Sequence, residues 1–428
     1  MTVVINPPVQ SANSKSGLVL TTDQKAALNA FYKFLLDPIE TVFVLSGYSG
    51  CGKSTLVRTM VNMVPDVIKA AQLIDPNQTN YTIELTATTN KAAENLSQLA
   101  GQSARTIHSL LSLRVQTDFK SGVTTLIPRK HDVLEDYLII IDEASYIDKQ
   151  LLNFIFQLTK NCKIVFVGDP AQLTPVKSVG TPVFDANFTG AALTQVVRQA
   201  ENNPIVDLST NFRNTVNSGE FFKFTPDGHH VQVLDRSAFN AAIQAEFTRP
   251  DWRYQDSKIL GWTNKLAISY NQFVRNHVKG DPNFEVGDYA VCNSYMSVGN
   301  KQIKTDQLVE ITSIDENMNQ LNVAGKIFTL DHSMRVFMPD SLAAKNTRIK
   351  EAKAKGDIHA VTDIETNWID LRAAYACTIN KAQGSTFDCV FIDLDDVSRC
   401  NSGDQIARML YVAVSRARNH VYLTGDLA

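Results

Sequence analysis

Residues 47–54 read GYSGCGKS, a match to the pattern GxxxxGK[ST]. They lie between a β-branched apolar run (TVFVLS, residues 41–46) and a segment with apolar residues at helical spacing (KSTLVRTMVNMV, residues 53–64). Strand, glycine-rich loop and helix in that order make a phosphate-binding loop. Such a loop aims backbone N–H groups and a helix N-terminus at anionic oxygens, while Lys53 brings a point charge to the β- and γ-phosphates and Ser54 holds Mg²⁺. The nucleotide-contacting set is then Gly47, Ser49, Gly50, Cys51, Gly52, Lys53, Ser54 and Thr55, and the implied ligands are a nucleoside triphosphate and Mg²⁺. A glycine-rich turn capping a core helix is the plain structural alternative.

Working outward, the chain has 428 residues, enough for about three domains by length, and its 44% hydrophobic content supports well-formed cores. The formal net charge of −3 means that any nucleic-acid surface must be a local basic lining on a body that is not globally cationic. Six cysteines (Cys51, Cys162, Cys292, Cys377, Cys389 and Cys400) occur without CxxC pairs, which argues against a zinc site and for free thiols in a reducing compartment, the cytoplasm. Residues 1–18 are polar, with no basic start followed by an apolar run, and read as a disordered lead. No stretch is apolar enough for a membrane span.

Strands alternate with helical patterns from residue 20 to about residue 200, with apolar runs at residues 42–45, 81–85, 138–141 and 164–167, which is the rhythm of a parallel α/β sheet. The stretch LRVQTDFKSGVTTLIPR (113–129) breaks it with two β-rich arms around Lys120-Ser121-Gly122 and reads as a protruding hairpin. A second α/β unit begins after Gln199, with a strand at residues 259–262 and a helix from Lys265. Between Pro282 and Pro339 short β-like runs separated by Gly, Asn and Asp suit a small β-barrel, and the charged stretch 340–358 reads as a solvated helical arm. Parallel character returns at residues 373–379 and 389–394, followed by a helix at 404–418 and a last strand.

LIIIDEAS (138–145) places Asp142 and Glu143 at the C-terminal end of a buried strand, where open parallel sheets bind ligands. Asp142 would complete the Mg²⁺ shell with Ser54, and Glu143 would orient and deprotonate the attacking water. Both acids also suit the start of a helix. Gln172, in VGDPAQLTPV (167–176), leaves a strand end where an amide that donates and accepts would sense a γ-phosphate, although a turn with Asp and two prolines reads the same.

In chain order GYSGCGKS, TATTNKAAENL (86–96), RTIHSLL (105–111), LIIIDEAS, VGDPAQLTPV, LTQVVRQ (193–199), ACTINKAQGSTFD (376–388) and LYVAVSRAR (410–418) resemble the motif set of superfamily 1 helicases, within it the RecD branch and its compact members from tailed phages. The resemblance runs from Leu20 over nearly the whole chain. It implies an α/β fold of two RecA-like P-loop NTPase domains, the first with a β-hairpin insertion and the second with an SH3-like β-barrel insertion. Its boundaries would be a lead at 1–18, domain 1A at 19–112 and 130–199, a pin hairpin at 113–129, domain 2A at 200–281 and 366–428, and the barrel plus helical arm at 282–365.

Family members bind ATP between the RecA-like domains, each of which gives an arginine to the transferring phosphate; the matching residues are Arg198 and Arg416, with Arg418 as a solvated or locally paired neighbour. Gln24 matches an adenine-reading glutamine, yet Thr21-x-x-Gln24 fits a capping box too, and Gly384 joins the nucleotide set. For DNA the resemblance names Thr88, Asn90, Lys91, His108, Asn264, Lys265, Thr378 and Lys381, hydroxyl, amide, imidazole and ammonium groups suited to backbone contact without base readout. Phe119, Leu126 and Ile127 are the candidates for strand separation at the pin, or for packing it onto its parent domain. Two departures touch local contacts: Asn380 stands where relatives carry histidine before KAQG, and TDQLVEI (305–311) lacks the usual glycine.

The implied activity is an ATP-dependent DNA helicase moving 5′→3′ on single-stranded DNA in phage replication or recombination. A translocase that strips proteins with little unwinding and a nucleotide-gated DNA-binding protein are the alternatives. The expected partners are single-stranded DNA, fork duplex and single-strand-binding or other replication proteins, with no membrane; a monomer in the host cytoplasm is expected.

Overall fold

The computed structural model describes residues 19–117, 124–129, 132–175, 180–195, 203–281, 283–293, 295–298 and 301–427. The described residues fall into two compact units, one drawn from Met1–Thr89, Ala93–Pro170 and Thr174–Gln199, the other from Asn90–Ala92, Ala171–Leu173 and Ala200–Ala428.

The first unit is built on a six-stranded sheet in the spatial order Thr189–Leu193, Val42–Gly47, Lys163–Gly168, Tyr137–Asp142, Thr82–Ala87 and Ala104–Thr106, all neighbours parallel. Its central strands read as continuous apolar runs because both faces are covered. Alternate residues divide between two cores. Phe43, Leu45, Leu138, Ile140, Val165 and Val167 pack with Phe31, Leu56 and Met60 of the helices Thr22–Leu36 and Lys53–Gln72. Val42, Val44, Ile139, Ile141, Ile164 and Phe166 pack with Leu151 and Ile155 of Lys149–Gln157. The two arms read as a hairpin, Leu113–Thr117 and Thr124–Pro128, pair antiparallel, and the turn expected between them lies outside the described residues. Phe119 lies outside the described residues, as do residues 1–18.

The second unit carries a five-stranded parallel sheet in the order Val231–Leu234, Ala417–Thr424, Phe387–Asp393, Ser257–Gly261 and Ala376–Thr378. A separate antiparallel sheet orders Met334–Pro339, Val323–Leu330, Leu308–Gln320, Tyr289–Cys292 and Leu371–Ala373 around a core containing Ala290, Val309, Ile311, Phe328 and Val336.

Three local expectations are corrected. Residues 371–373 pair antiparallel with Tyr289–Cys292, so parallel character resumes only at Ala376. The last helix is Gly403–Val414 and Ala417 already begins the final strand, because Phe387 N–H donates to the Arg416 carbonyl and draws residues 415–418 out of the helical path. The arm is two helices, Leu342–Ala354 and Ile358–Asn367, and it is not merely solvated: Ala344, Ile349 and Ile364 pack with Val323, Phe337 and the fully buried Trp368, and Lys345 Nζ donates to the Trp368 carbonyl at 2.7 Å. Among the described residues no helix is long and apolar enough to cross a membrane.

Candidate nucleotide and nucleic-acid site

Strand register brings the phosphate loop, Asp142 and Gly168, where VGDPAQ leaves its strand, to one edge of the first sheet. Ser46 lies opposite Gly168, Gly47 opposite Leu193, and Asp142 opposite Ala87. All are at C-terminal strand ends, the ligand-binding edge of a parallel sheet.

The loop's glycines have distinct reasons. Gly52 has φ 79° and an added Cβ there would lie 2.6 Å from Gln24 Nε2; one at Gly47 would lie 2.7 Å from Cys51 Sγ. Gly52 also precedes the helix Lys53–Gln72 without any side-chain cap, so its first amides stay directed at the loop. Lys53 folds back over that loop, with Nζ donating to the carbonyls of Gly47 at 2.6 Å and Tyr48 at 2.9 Å. Cys51 is buried against Gly47, and burial raises its thiol pKa, so it packs as an apolar side chain. Gly50, with φ 83°, turns the loop; Ser54 is half-buried at the helix start and Thr55 is exposed.

Asp142 is held well above the usual carboxylate range, first by burial and then by the neighbouring Glu143, against the opposing pull of the Glu143 N–H and Lys53. A carboxylate so placed, at the same sheet edge as the loop that leads to the Ser54 hydroxyl, matches the hard oxygen donors that Mg²⁺ takes, and a bound cation would offset the Asp142–Glu143 repulsion. Glu143 sits at φ 54°, a left-handed conformation costly for a side-chain-bearing residue, with its N–H donating to Asp142 Oδ1 at 2.8 Å and its carbonyl accepting from Thr88 Oγ1 at 3.2 Å. Those bonds fix the direction in which the second acid leaves the strand.

Gln24 forms the capping box of its sequence reading and reaches the phosphate loop as well. The capping box with Thr21 is formed, Gln24 Oε1 accepts from Thr21 N–H at 3.0 Å, and Gln24 Nε2 donates to the Cys51 carbonyl at 3.0 Å. Its amide therefore ties the first helix to the phosphate loop. Gln24→Ala is expected to lower the kcat/KM ratio of ATP over GTP; a preference unchanged from wild type would confine Gln24 to capping and loop support.

Arg198 lies outside the described residues, but the segment leading to it is anchored by a residue the sequence reading missed. Asp23 Oδ2 accepts from the N–H groups of Thr194 at 2.8 Å and Gln195 at 3.0 Å. Only a carboxylate two residues after Thr21 marks it in the sequence, and nothing local names its distant partners.

In the second unit, Arg416 is buried with Nε donating to the Val412 carbonyl at 3.1 Å, Nη1 to the Ser385 carbonyl at 3.2 Å and Nη2 to Ser415 Oγ at 2.8 Å. Its neighbour Arg418 is exposed and pairs with Asp388 at 3.0 Å, the local role expected of it. Gln172, which groups with the second unit, is buried; its side-chain oxygen accepts from Gln383 Nε2 at 2.6 Å and its carbonyl from Arg408 Nη1 at 2.8 Å. Gln383 and Arg408 were likewise not named from sequence. Gly384 takes φ 79° immediately after Gln383.

The residues expected to meet DNA are distributed over several strand ends. Asn90 and Lys91 are exposed at the start of Asn90–Ala100, and Thr88 is half-buried at the end of Thr82–Ala87. His108 is half-buried, and burial lowers its pKa against a smaller opposing effect of Asp148, favouring neutral imidazole at pH 7. Asn264 and Lys265 are exposed at the start of Asn264–Val274. Thr378 is buried at the end of Ala376–Thr378, opposite Gly261. Lys381 is already engaged by the antiparallel-sheet region, its Nζ donating to Asp306 Oδ1 at 2.7 Å and Asn293 Oδ1 at 2.9 Å. At the hairpin, Leu126 packs against the first unit's core, and Ile127 is half-buried.

Residues 19–236, half of the chain, match the family described as AAA domain, and residues 373–424 match the UvrD-like helicase C-terminal domain. The chain is 24% identical to the ATP-dependent DNA helicase dda of Enterobacteria phage T4, covering 94% of this chain and 98% of that protein. It is 28% identical to the RecBCD enzyme subunit RecD of Buchnera aphidicola subsp. Schizaphis graminum, over 90% of this chain and 71% of that protein. Its fold is similar to that of the Pif1 helicase from Bacteroides, crystallised in complex with ADP-AlF3 and ssDNA, with 17% identity, 96% and 93% coverage and a TM-score of 0.51. With its loop, acidic strand end and buried SRAR arginine borne on two α/β units, this chain belongs to the AAA-domain family and is a superfamily 1 helicase.

Proposed function

We infer that this chain is an ATP-dependent DNA helicase that moves 5′→3′ along single-stranded DNA and separates duplex strands, in phage replication or recombination. The observation that carries the reading is the convergence of the phosphate loop with Lys53, the Asp142–Glu143 pair and the Gly168 strand end at one sheet edge. Its similarity over 94% of its length to a phage ATP-dependent DNA helicase supports the same reading.

In this mechanism the loop amides and Lys53 bind the β- and γ-phosphates, and Glu143 orients water for attack on the γ-phosphate. Mg²⁺ would be held by Ser54 and Asp142 and would supply charge neutralisation to the phosphate oxygens. Arg198 and Arg416 spread stabilisation over the transferring group. Thr88, Asn90, Lys91, His108, Asn264, Lys265, Thr378 and Lys381 form the proposed strand contacts, Lys381 by exchanging its bond to Asp306 for a phosphate. The two α/β units are assigned as RecA-like domains and the antiparallel sheet as an SH3-like insertion. The hairpin is assigned as the strand-separating pin, with Ile127 a better candidate for the separating contact than Leu126, which is occupied in packing.

Forked duplexes carrying only a 5′ or only a 3′ tail test the reading. Unwinding is expected from the 5′ tail and not from the 3′ tail, with ATP consumed in parallel. Hydrolysis without unwinding on either tail would instead assign the chain as a translocase, and unwinding from the 3′ tail alone would reverse the polarity.

A further inference from the structure

The chain has three tryptophans, and two of them are committed to cores. Trp252 packs against Phe247 and Tyr375, and Trp368 against Phe337. Trp262 differs: it is 37% exposed, and among the described residues its indole stands in no ring pair. A large apolar ring left at a surface is common singly, so exposure alone decides nothing.

What singles out Trp262 is how firmly its backbone is held. Asp396, itself 3% exposed, accepts at Oδ2 from the N–H groups of Trp262 at 2.7 Å and Thr263 at 2.8 Å, and at Oδ1 from the Thr263 hydroxyl at 2.6 Å. Thr263 Oγ1 then accepts from Leu266 N–H at 3.2 Å, capping the helix Asn264–Val274. Gly261 is required for this close approach, since a Cβ there would lie 2.3 Å from Leu266 Cδ2 and 3.0 Å from Asp396 Oδ2. A buried carboxylate accepting three donors costs desolvation that bare solvation of the loop would avoid. The outcome is an aromatic ring on a rigid mount.

The surroundings select a ligand. Trp262 follows directly on Gly261, which pairs with Thr378, so the ring lies at the C-terminal edge of the second parallel sheet. Asn264 and Lys265 are exposed beside it, and the first turn of their helix holds no acidic residue of its own. A flat apolar face flanked by a cation and an amide donor fits a nucleobase joined to its phosphate. We propose that Trp262 is a stacking platform for one base of the bound single strand, with Asn264 and Lys265 holding the adjoining phosphate and Asp396 acting as the positioning residue. Stacking tolerates every base, as a motor on any sequence requires. This rests on the nucleic-acid reading above and adds to it a contact made to the base.

The test uses the full chain without nucleotide, an oligo(dT) of about a dozen nucleotides and an abasic oligomer of the same length, with binding followed by anisotropy of labelled strands and by tryptophan emission. Oligo(dT) should quench the emission, because Trp262 is the accessible indole, and Trp262→Phe should keep binding yet lose the quenching. Trp262→Ala should weaken oligo(dT) at least about fivefold, as loss of one stacked base does, and leave the abasic strand unchanged. Quenching that persists in Trp262→Phe, wild-type binding without quenching, or equal effects of Trp262→Ala on both oligomers would overturn the stacking proposal alone. Failure of the wild-type chain to bind either oligomer would overturn the nucleic-acid reading with it.

Discussion

Lys53→Ala is expected to lower single-strand-stimulated ATP hydrolysis by at least about a hundredfold, the scale of losing one preorganised charge donor at a reacting phosphate, while leaving strand binding within about twofold. Lys53 is the first residue of Lys53–Gln72, and alanine is the best helix former, so the helix survives the change. What disappears is the ammonium that spans the Gly47 and Tyr48 carbonyls. Without a phosphate those carbonyls hold the lysine; with one, the ammonium meets a fully charged acceptor and gains ion-pair attraction that a neutral carbonyl does not offer. Binding of the strand draws on other strand ends, which is why the two readouts should separate. Steady-state hydrolysis with saturating oligonucleotide and anisotropy with the same oligonucleotide measure both. Hydrolysis retained near the wild-type rate would remove Lys53 from the chemistry; loss of both together would mean that the loop is needed to fold its unit.

The parts of this site that were legible in sequence are those whose geometry is local. A strand, a loop with glycines at fixed offsets and a helix specify one another over residues 42–72, and an apolar run ending in Asp142-Glu143 carries its own strand end. The two-faced burial of the first sheet was also legible, since a parallel strand covered on both sides must be apolar throughout. Long-range pairings were not. Asp23 reaches Thr194, Asp396 reaches Trp262 and Gln383 reaches Gln172 across 171, 134 and 211 positions, and no periodicity records a partner so distant. Residue 373 was assigned to the parallel sheet for a related reason: the three-residue strand that it closes, 371–373, carries too little pattern to say whether its neighbour runs parallel or antiparallel. Lys381 shows the same limit on function, because its motif position suggested a free cation and its ion pair with Asp306, 75 residues away, is visible only in the fold.

The second large effect concerns stability. Asp288→Ala is expected to destabilise the second unit by about 3–5 kcal/mol, the cost of breaking a buried ion pair from one side. Arg275 is 4% exposed and Asp288 8%, with Arg275 Nη1 donating to Asp288 Oδ2 at 2.7 Å. The guanidinium also donates to the Asn283 carbonyl and lies over the Phe284 ring at 5.2 Å, and Asp288 Oδ2 accepts from Glu285 N–H at 2.8 Å. Arg275 opens the π-helical stretch Arg275–Lys279 after Asn264–Val274, and Asp288 immediately precedes the strand Tyr289–Cys292. The pair thus joins the α/β part of the unit to its antiparallel sheet. Truncating the acid leaves a guanidinium that water cannot reach and that cannot deprotonate, whereas Asp288→Asn keeps one acceptor and should cost less. Urea denaturation followed by tryptophan emission reports on this unit, because Trp252, Trp262 and Trp368 all belong to it. The double variant Arg275→Met with Asp288→Leu should recover most of the loss, since the two charges then leave together and their volume is refilled. A single-variant cost below about 1 kcal/mol would class the pair with solvent-screened surface bridges, and the joint between the two sheets would then depend on the apolar contacts of Phe284 and its neighbours.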